Sequence, residues 1–443
     1  MFRETPRDSI PLASGRLPVI GHLPKIHFDA LGLLRDAAER LGHVFRLDYG
    51  FGIQPTMLYG DQAFSLLRNE WVRSSPIYDL APLVVADSLV IEDGPRHRRM
   101  RRSVDGPFAP RGLDSANAGA LISEIIDARL ASWSHGHSVM ISKDTREITL
   151  AIIFRLIGIH SVDIPVWRKK FQEFSLGTIN LPMDFPGSPA HRSKRAIVWL
   201  NERLSRLITS VRSGTEPHTL LSAMVHGLDG NQHRLLEHEI LGNLRLLGFA
   251  GHETTASVLS WVMLRLSADR SLWHRLRDEI LDSGDGVPPS VDFADLSRFP
   301  LTEAVFRETA RMYPPTWFLP RLTHEGFTYD GREITEGTLV GIPLLTLSRS
   351  TERYEDPDDF RPDRWLLPGR SRHPIETCQF GGGPHFCLGY RLALLEGVNF
   401  IVAVVRALAP MGRRPVLRGP LPKPRYLPFN HAPMRTRISF ESA

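Results

Sequence analysis

The run Phe380-Gly381-Gly382-Gly383-Pro384-His385-Phe386-Cys387-Leu388-Gly389 sets one cysteine on a glycine-rich loop. The apolar-rich stretch that follows, residues 391–402, reads as a helix. A helix N-terminus carries partial positive charge and free amides, so a thiol placed there is favoured as the thiolate. The glycines let the backbone approach a flat ligand, and amides after Cys387 are in reach of its sulfur. Such a thiolate can serve as the proximal ligand of haem iron; for an isolated cysteine the competing reading is plain structural burial.

A second constellation is Ala250-Gly251-His252-Glu253-Thr254-Thr255, in the middle of a long helical pattern. Ile240, Leu241, Leu244 and Leu247 lead into it, and Val258, Leu259 and Val262 follow. Glycine and back-bonding hydroxyls weaken a helix locally, which predicts an opening there. An acid beside an alcohol, Glu253 with Thr254, can pass protons to a reacting oxygen, although a Glu-Thr-Thr triplet alone is commonplace. A third begins at Asp93-Gly94-Pro95, a cap-like helix start with proline in the first turn. His97 and Arg101 then fall i,i+4 on one face, where two donors can reach one carboxylate.

The elements that must position these groups are mostly helical. Glu308 and Arg311 lie i,i+3 on a helix that Pro314-Pro315 must end. Phe360-Arg361-Pro362-Asp363-Arg364-Trp365 adds an arginine in a proline-broken stretch. Asp330-Gly331 between short β-prone runs predicts a hairpin, and 337–342 offers a further strand.

The chain has 443 residues, 42% hydrophobic and 23% charged, with no repeat, low-complexity tract or long linker. Segments such as 282–286 with Pro288-Pro289 read as surface loops, so one domain over 1–443 is expected, with 1–17 loosely packed. Two cysteines, Cys378 and Cys387, form neither a CxxC zinc pair nor a disulfide framework, which suits a reducing cytoplasm. We find no apolar run of about 18 residues suited to a bilayer; the richest, 240–266, is interrupted by Arg245, His252, Glu253 and Arg265. Met1 to Asp8 is too charged for a signal or anchor. The net charge of +5 gathers densest at Arg96-His97-Arg98-Arg99-Met100-Arg101-Arg102, with no nucleic-acid motif beside it. No nucleic-acid partner is expected.

The cysteine loop is similar to that of the cytochrome P450 family at Phe380, Gly381, Gly383, His385, Cys387 and Gly389, with Ala393 and Glu396 downstream. The resemblance runs from about Pro18 to the chain's end. It implies the mainly α cytochrome P450 fold with small β-sheets, haem b lying between the long central helix and the cysteine helix. It implies Cys387 as iron ligand and Glu253 and Thr254 as the proton relay. Ala250, Phe380, Gly381, Leu388 and Gly389 would line the haem, while His97, Arg101, Arg321 and His385 would hold its propionates. Glu308, Arg311 and Arg364 resemble the family's structural triad. The implied activity is monooxygenation: O2 supplies one atom to a lipophilic substrate, by hydroxylation or epoxidation, and the other to water. Electrons from NAD(P)H would come through a separate ferredoxin or flavodoxin with its reductase, since no reductase domain follows the cysteine helix. Arg98 and Arg102, on a face distinct from His97 and Arg101, could meet that carrier. Val85, Thr316 and Phe318 would border the substrate pocket, and a monomer without an integral membrane anchor is expected. A peroxide-using or oxidative-coupling member, or a non-catalytic haem sensor or carrier, remains the alternative. Leu17-Pro18-Val19-Ile20-Gly21 is similar to the proline-rich hinge of anchored members, but no anchor precedes it.

Overall fold

Helices carry most of the architecture of this computed structural model, which describes residues 10–69, 71–77, 81–134, 138–178, 184–214, 219–228, 234–282, 288–367 and 377–442. The longest, Glu237–Ala268, begins with the Glu239 carboxylate accepting from the Leu236 amide at 3.0 Å. Glu237 and Glu239 in its first turn and Arg265 in its last complement the helix dipole. No residue in it departs from helical geometry, so the expected opening at 250–254 is not present. Thr254 Oγ1 instead donates back to the Ala250 carbonyl at 2.5 Å, which satisfies the hydroxyl without breaking the helix.

Two apolar clusters share this helix. Its C-terminal half, from Val258 to Leu266, packs with the cysteine helix Tyr390–Leu408 and with Trp133, Phe299 and Phe306. Trp261 lies flat on Tyr313, ring centroids 3.9 Å apart. Its N-terminal half joins Phe154, Phe171, Phe174, Leu200 and Leu204. Each such fully buried side chain contributes ~1.5–3 kcal/mol, which holds the long helix as a rigid floor for the site. Leu247 of the long helix and Leu388 of the cysteine loop, both half-buried, pack against both clusters and mark where the two elements face each other.

The expected small sheets are present. A five-stranded sheet runs in the order Val44–Arg46, Thr56–Leu58, Leu339–Ile342, Leu319–Thr323, Val72–Arg73. Arg321 lies opposite Val340 on its inner strands. Phe327–Tyr329 and Arg332–Ile334 form the predicted hairpin, turning through Asp330 and Gly331, both at positive φ. A three-stranded sheet joins Ser138–Met140, Arg437–Ser442 and Arg413–Val416.

Two expectations change. Within the segment read as loose, residues 1–9 lie outside the described residues, whereas Ile10 and Ala13 are buried and the Ala13 amide bonds the Arg46 carbonyl. Residues 14–20 are exposed. The stretch most like a bilayer span is not 240–266 but the cysteine helix, long and apolar enough by length and composition yet mostly buried as core. Loop residues 283–287 lie outside the described residues.

Candidate active site

The cysteine loop is shaped by its own backbone. The Cys387 amide donates to the Phe380 carbonyl at 3.0 Å, and the Phe386 amide to Gly383 at 3.1 Å. Gly381 and Gly383 take φ of 73° and 63°, where L side chains are strained. A Cβ on Gly383 would sit 1.8 Å from the Leu67 carbonyl, so this glycine is required by a neighbouring protein segment. Gly389 is different: a Cβ there would meet nothing within 4 Å, which leaves open space beside the thiol. Phe380 packs edge-on to Tyr390, which starts the cysteine helix.

Cys387 is half-buried and unpaired. Burial pushes its thiol up, and the Gly389 amide and the charge of Arg101 only partly offset this. A coordinating cation would deprotonate the thiol outright. Cys378, fully buried and pushed up to about 12 by desolvation, is the inert one.

Beside the loop, four basic groups converge as expected. The His97 and His385 rings are 4.2 Å apart. Arg101 donates to the Phe386 carbonyl at 2.7 Å and to Asp105 at 2.6 Å. Arg321, only 4% exposed, bonds the Pro320 carbonyl at 2.8 Å. His97, 1% exposed, leaves Nε2 buried without a partner. Burial and then the charges of His385 and Arg101 lower His97 to about 4, and burial lowers Arg321 to about 10. Besides Asp105 on Arg101, the acid facing these groups is Asp93, which the sequence offers only as a cap. Its side chain makes no cap; it accepts from His385 Nε2 at 3.0 Å and from the Ser74 amide at 2.9 Å. The cluster is thus rich in buried donors and short of carboxylates, and two haem propionates would supply what it lacks.

On the long helix, Ala250 is exposed and Thr254 half-exposed, although the turns after them are buried. Leu246 and Leu247 beside them are half-exposed while packing at the edge of the apolar clusters. Glu253 does not face Thr254's acceptor. Its Oε2 is held by Arg146 Nε at 2.9 Å, with His252 Nδ1 3.7 Å from Oε1. His252 is buried, and desolvation lowers it to about 4, so it is neutral.

The structure brings the triad together completely. Glu308 accepts from Arg311 Nε and Nη2 at 2.9 and 2.8 Å, Arg364 Nε at 3.0 Å, Trp365 Nε1 at 2.9 Å and the Arg361 amide at 2.8 Å. The three residues expected to touch substrate are placed less uniformly. Thr316 is half-buried beside Pro315, whose carbonyl accepts the Asn430 amide at 2.8 Å. Phe318 packs on Trp317 and Tyr49, toward the N-terminal cluster. Val85 is buried in the cluster with Leu244 and Phe249. Sequence reasoning missed Asp93 in its second role and the C-terminal loop, where Phe429 packs 5.6 Å from Phe249 of the long helix. Phe429 lies far along the chain in a proline-broken stretch with no motif of its own.

Comparison with known proteins agrees with this geometry. The family model for cytochrome P450 matches residues 11–409. "Cytochrome P450 BJ-4 homolog" of Sinorhizobium fredii is 36% identical over 98% of this chain and 97% of its own. Pentalenene oxygenase of Streptomyces avermitilis is 30% identical over 87% of each chain. The structure of a retinoic acid-bound cyanobacterial CYP120A1 superposes with a TM-score of 0.84, covering 98% of this chain and all of that one at 23% identity. With a buried donor cluster short of carboxylates beside a lone loop cysteine, and with relatives matched nearly end to end, the chain belongs to the cytochrome P450 family.

Proposed function

We infer that this cytochrome P450 works as a haem-thiolate monooxygenase that inserts one oxygen atom of O2 into a lipophilic organic substrate. The observation that carries the reading is the convergence of His97, Arg101, Arg321 and His385 beside the Cys387 loop, four basic groups against the two carboxylates of Asp93 and Asp105. Cys387 would hold the iron of haem b, the four donors would hold the propionates, and Leu388, Gly389, Phe380, Gly381 and Ala250 would flank the ring. The haem, once bound and reduced, supplies the oxygen-activating chemistry.

The protein's own residues do the rest. Thr254 holds a proton at Oγ1 on the long helix. Glu253, held by Arg146 at 2.9 Å in a part-buried pair, replenishes it by swinging away from the arginine, taking a proton from solvent and passing it to Thr254. Leu246, Leu247 and Ala250 present an apolar face that excludes water from the reacting carbon. Thr316 completes the wall, while Val85 and Phe318 support it from behind. Electrons originate in NAD(P)H and arrive through a ferredoxin or flavodoxin. Arg98 and Arg102, exposed on the basic helix Gly94–Phe108, meet that carrier. Arg96 and Arg99 are already engaged by the buried carboxylate of Glu239. Two unpaired thiols fit a cytoplasmic location.

The test is an optical titration of the ferric holoprotein against lipophilic compounds, with pentalenene among the first. A saturable shift of the Soret band toward its high-spin position is expected. No haem spectrum after reconstitution with haem would overturn the reading.

A further inference from the structure

The helix Pro189–Arg212 has a charge balance unlike the rest of the chain. It carries six cations, Arg192, Lys194, Arg195, Arg203, Arg206 and Arg212, against one acid, Glu202. That surplus equals the formal +5 of the whole protein, so the remainder is neutral in sum. The cations are not spread evenly. Arg192, Arg195, Arg203 and Arg206 fall with Trp199 at spacings of three and four, within an arc of roughly 80° of the helix surface. All four arginines are exposed. Together they span about 21 Å along the helix axis at 1.5 Å per residue.

The inner face explains why the stripe cannot turn inward. Ala196, Leu200, Leu204, Ile208 and Val211 are buried in the apolar cluster shared with the long helix. The outer face is therefore fixed. Among the described residues no carboxylate pairs with Arg195, Arg203 or Arg206, whereas Arg192 reaches Glu173 at 4.0 Å and Arg212 reaches Glu237 at 2.9 Å. Arg203 lies over the Trp199 ring, 5.2 Å from its centroid, and Trp199 is itself held edge-on by Trp167 at 5.2 Å. Stacking fixes the guanidinium plane while leaving its donors free, the arrangement that suits a bidentate carboxylate.

We propose that this arginine stripe is a docking surface for an acidic protein, received through a carboxylate-bearing helix laid along it. The shape favours that occupant over a membrane. The stripe is one helix wide and bordered by acids, Glu173 and Asp184 at one end, Glu202 at its side and Glu237 at the other end. A flat anionic bilayer would meet those acids as well as the arginines, whereas a single acidic helix meets the arginines alone. Trp199 is half-buried and edge-packed, so it does not project as an interfacial anchor. The surface is separate from Arg98 and Arg102 on the basic helix. Arg245 Nη1 donates to Asn201 at 2.5 Å, linking the docking helix to the long helix.

The experiment uses the full-length holoprotein and a synthetic glutamate-rich helical peptide of five turns as probe, with phosphatidylserine vesicles as the second arm. Wild type is expected to bind the peptide saturably, weakening as salt rises. Arg195→Glu with Arg203→Glu should lose at least tenfold in affinity, and Arg195→Gln with Arg203→Gln, which leaves the fold least disturbed, should lose an intermediate amount. Equal binding by wild type and the Glu variant, or no peptide binding by wild type, would overturn the proposal. Tighter, stripe-dependent binding to the vesicles than to the peptide would overturn it in favour of a membrane surface.

Discussion

Replacing Glu308 by alanine removes one side chain but strands five donors. Arg311 and Arg364 are buried guanidiniums whose shared carboxylate is Glu308, and Trp365 Nε1 and the Arg361 amide lose the same acceptor. Breaking a buried ion pair by deleting one partner costs ~3–5 kcal/mol because the remaining charge stays desolvated. Arg311 also holds the carbonyls of Ser348, Pro357 and Asp359, so its displacement frees the segment that leads toward the cysteine loop. A protein of this length has an unfolding entropy of about 0.9 kcal/mol/K, at ~2.1 cal/mol/K per residue. The expected fall in thermal midpoint is therefore only about 3–5 °C, and haem content is the sharper readout. Glu308→Ala purified with added haem should retain almost none. The acid limb follows the same logic. Burial alone would raise the Glu308 carboxyl, but the hydrogen bond and charge of Arg311, the Arg361 amide and the charge of Arg364 outweigh it and hold it below its ordinary range. A carboxyl depressed in the folded state gives stability that is present above the unfolded pKa, near ~4.3 for a glutamate, and lost as pH falls through the folded value. Wild type should therefore release haem only below the ordinary carboxylate range, and Glu308→Gln should show a weaker pH dependence there. A Glu308→Ala protein with full haem and an unchanged midpoint would refute the reasoning.

Thr254→Ala removes the hydroxyl that bonds the Ala250 carbonyl and should uncouple turnover, with NAD(P)H consumption yielding peroxide in place of product; unchanged coupling would assign proton delivery elsewhere. Arg101→Ala deletes the bond to the Phe386 carbonyl and one proposed propionate donor; at ~1.5–3 kcal/mol for a charged hydrogen bond, haem affinity should fall roughly 10- to 160-fold, measured by transfer to apomyoglobin. Arg98→Glu with Arg102→Glu should slow reduction by a ferredoxin or flavodoxin most at low salt, and reduction at the wild-type rate would exclude that patch.

Much of the site was legible in the sequence because its parts are local. The cysteine loop, the His97–Arg101 pair and the Glu308–Arg311 pair each lie within one turn or one short loop, so spacing alone brings their side chains together. The Asp330-Gly331 hairpin was legible for the same reason: both residues had to take positive φ, and few residue types do so readily. What failed was decided by tertiary contact. Gly251 and Thr254 did not open the long helix, because packing on both sides holds it and the hydroxyl finds an acceptor one turn back. Gly383 turned out to be required by the Leu67 carbonyl, from a segment more than three hundred residues away.

The central claim is that Cys387, as thiolate, is the axial ligand of a haem. The reduced, carbon monoxide-bound absorption spectra of wild type, Cys387→Ser and Cys378→Ser test it most directly. Wild type and Cys378→Ser should share the strongly red-shifted Soret band of thiolate ligation, and Cys387→Ser should lose it while the Arg101 and Arg321 cluster still retains some haem. A red-shifted band that survives in Cys387→Ser, or that disappears in Cys378→Ser alone, would contradict the assignment.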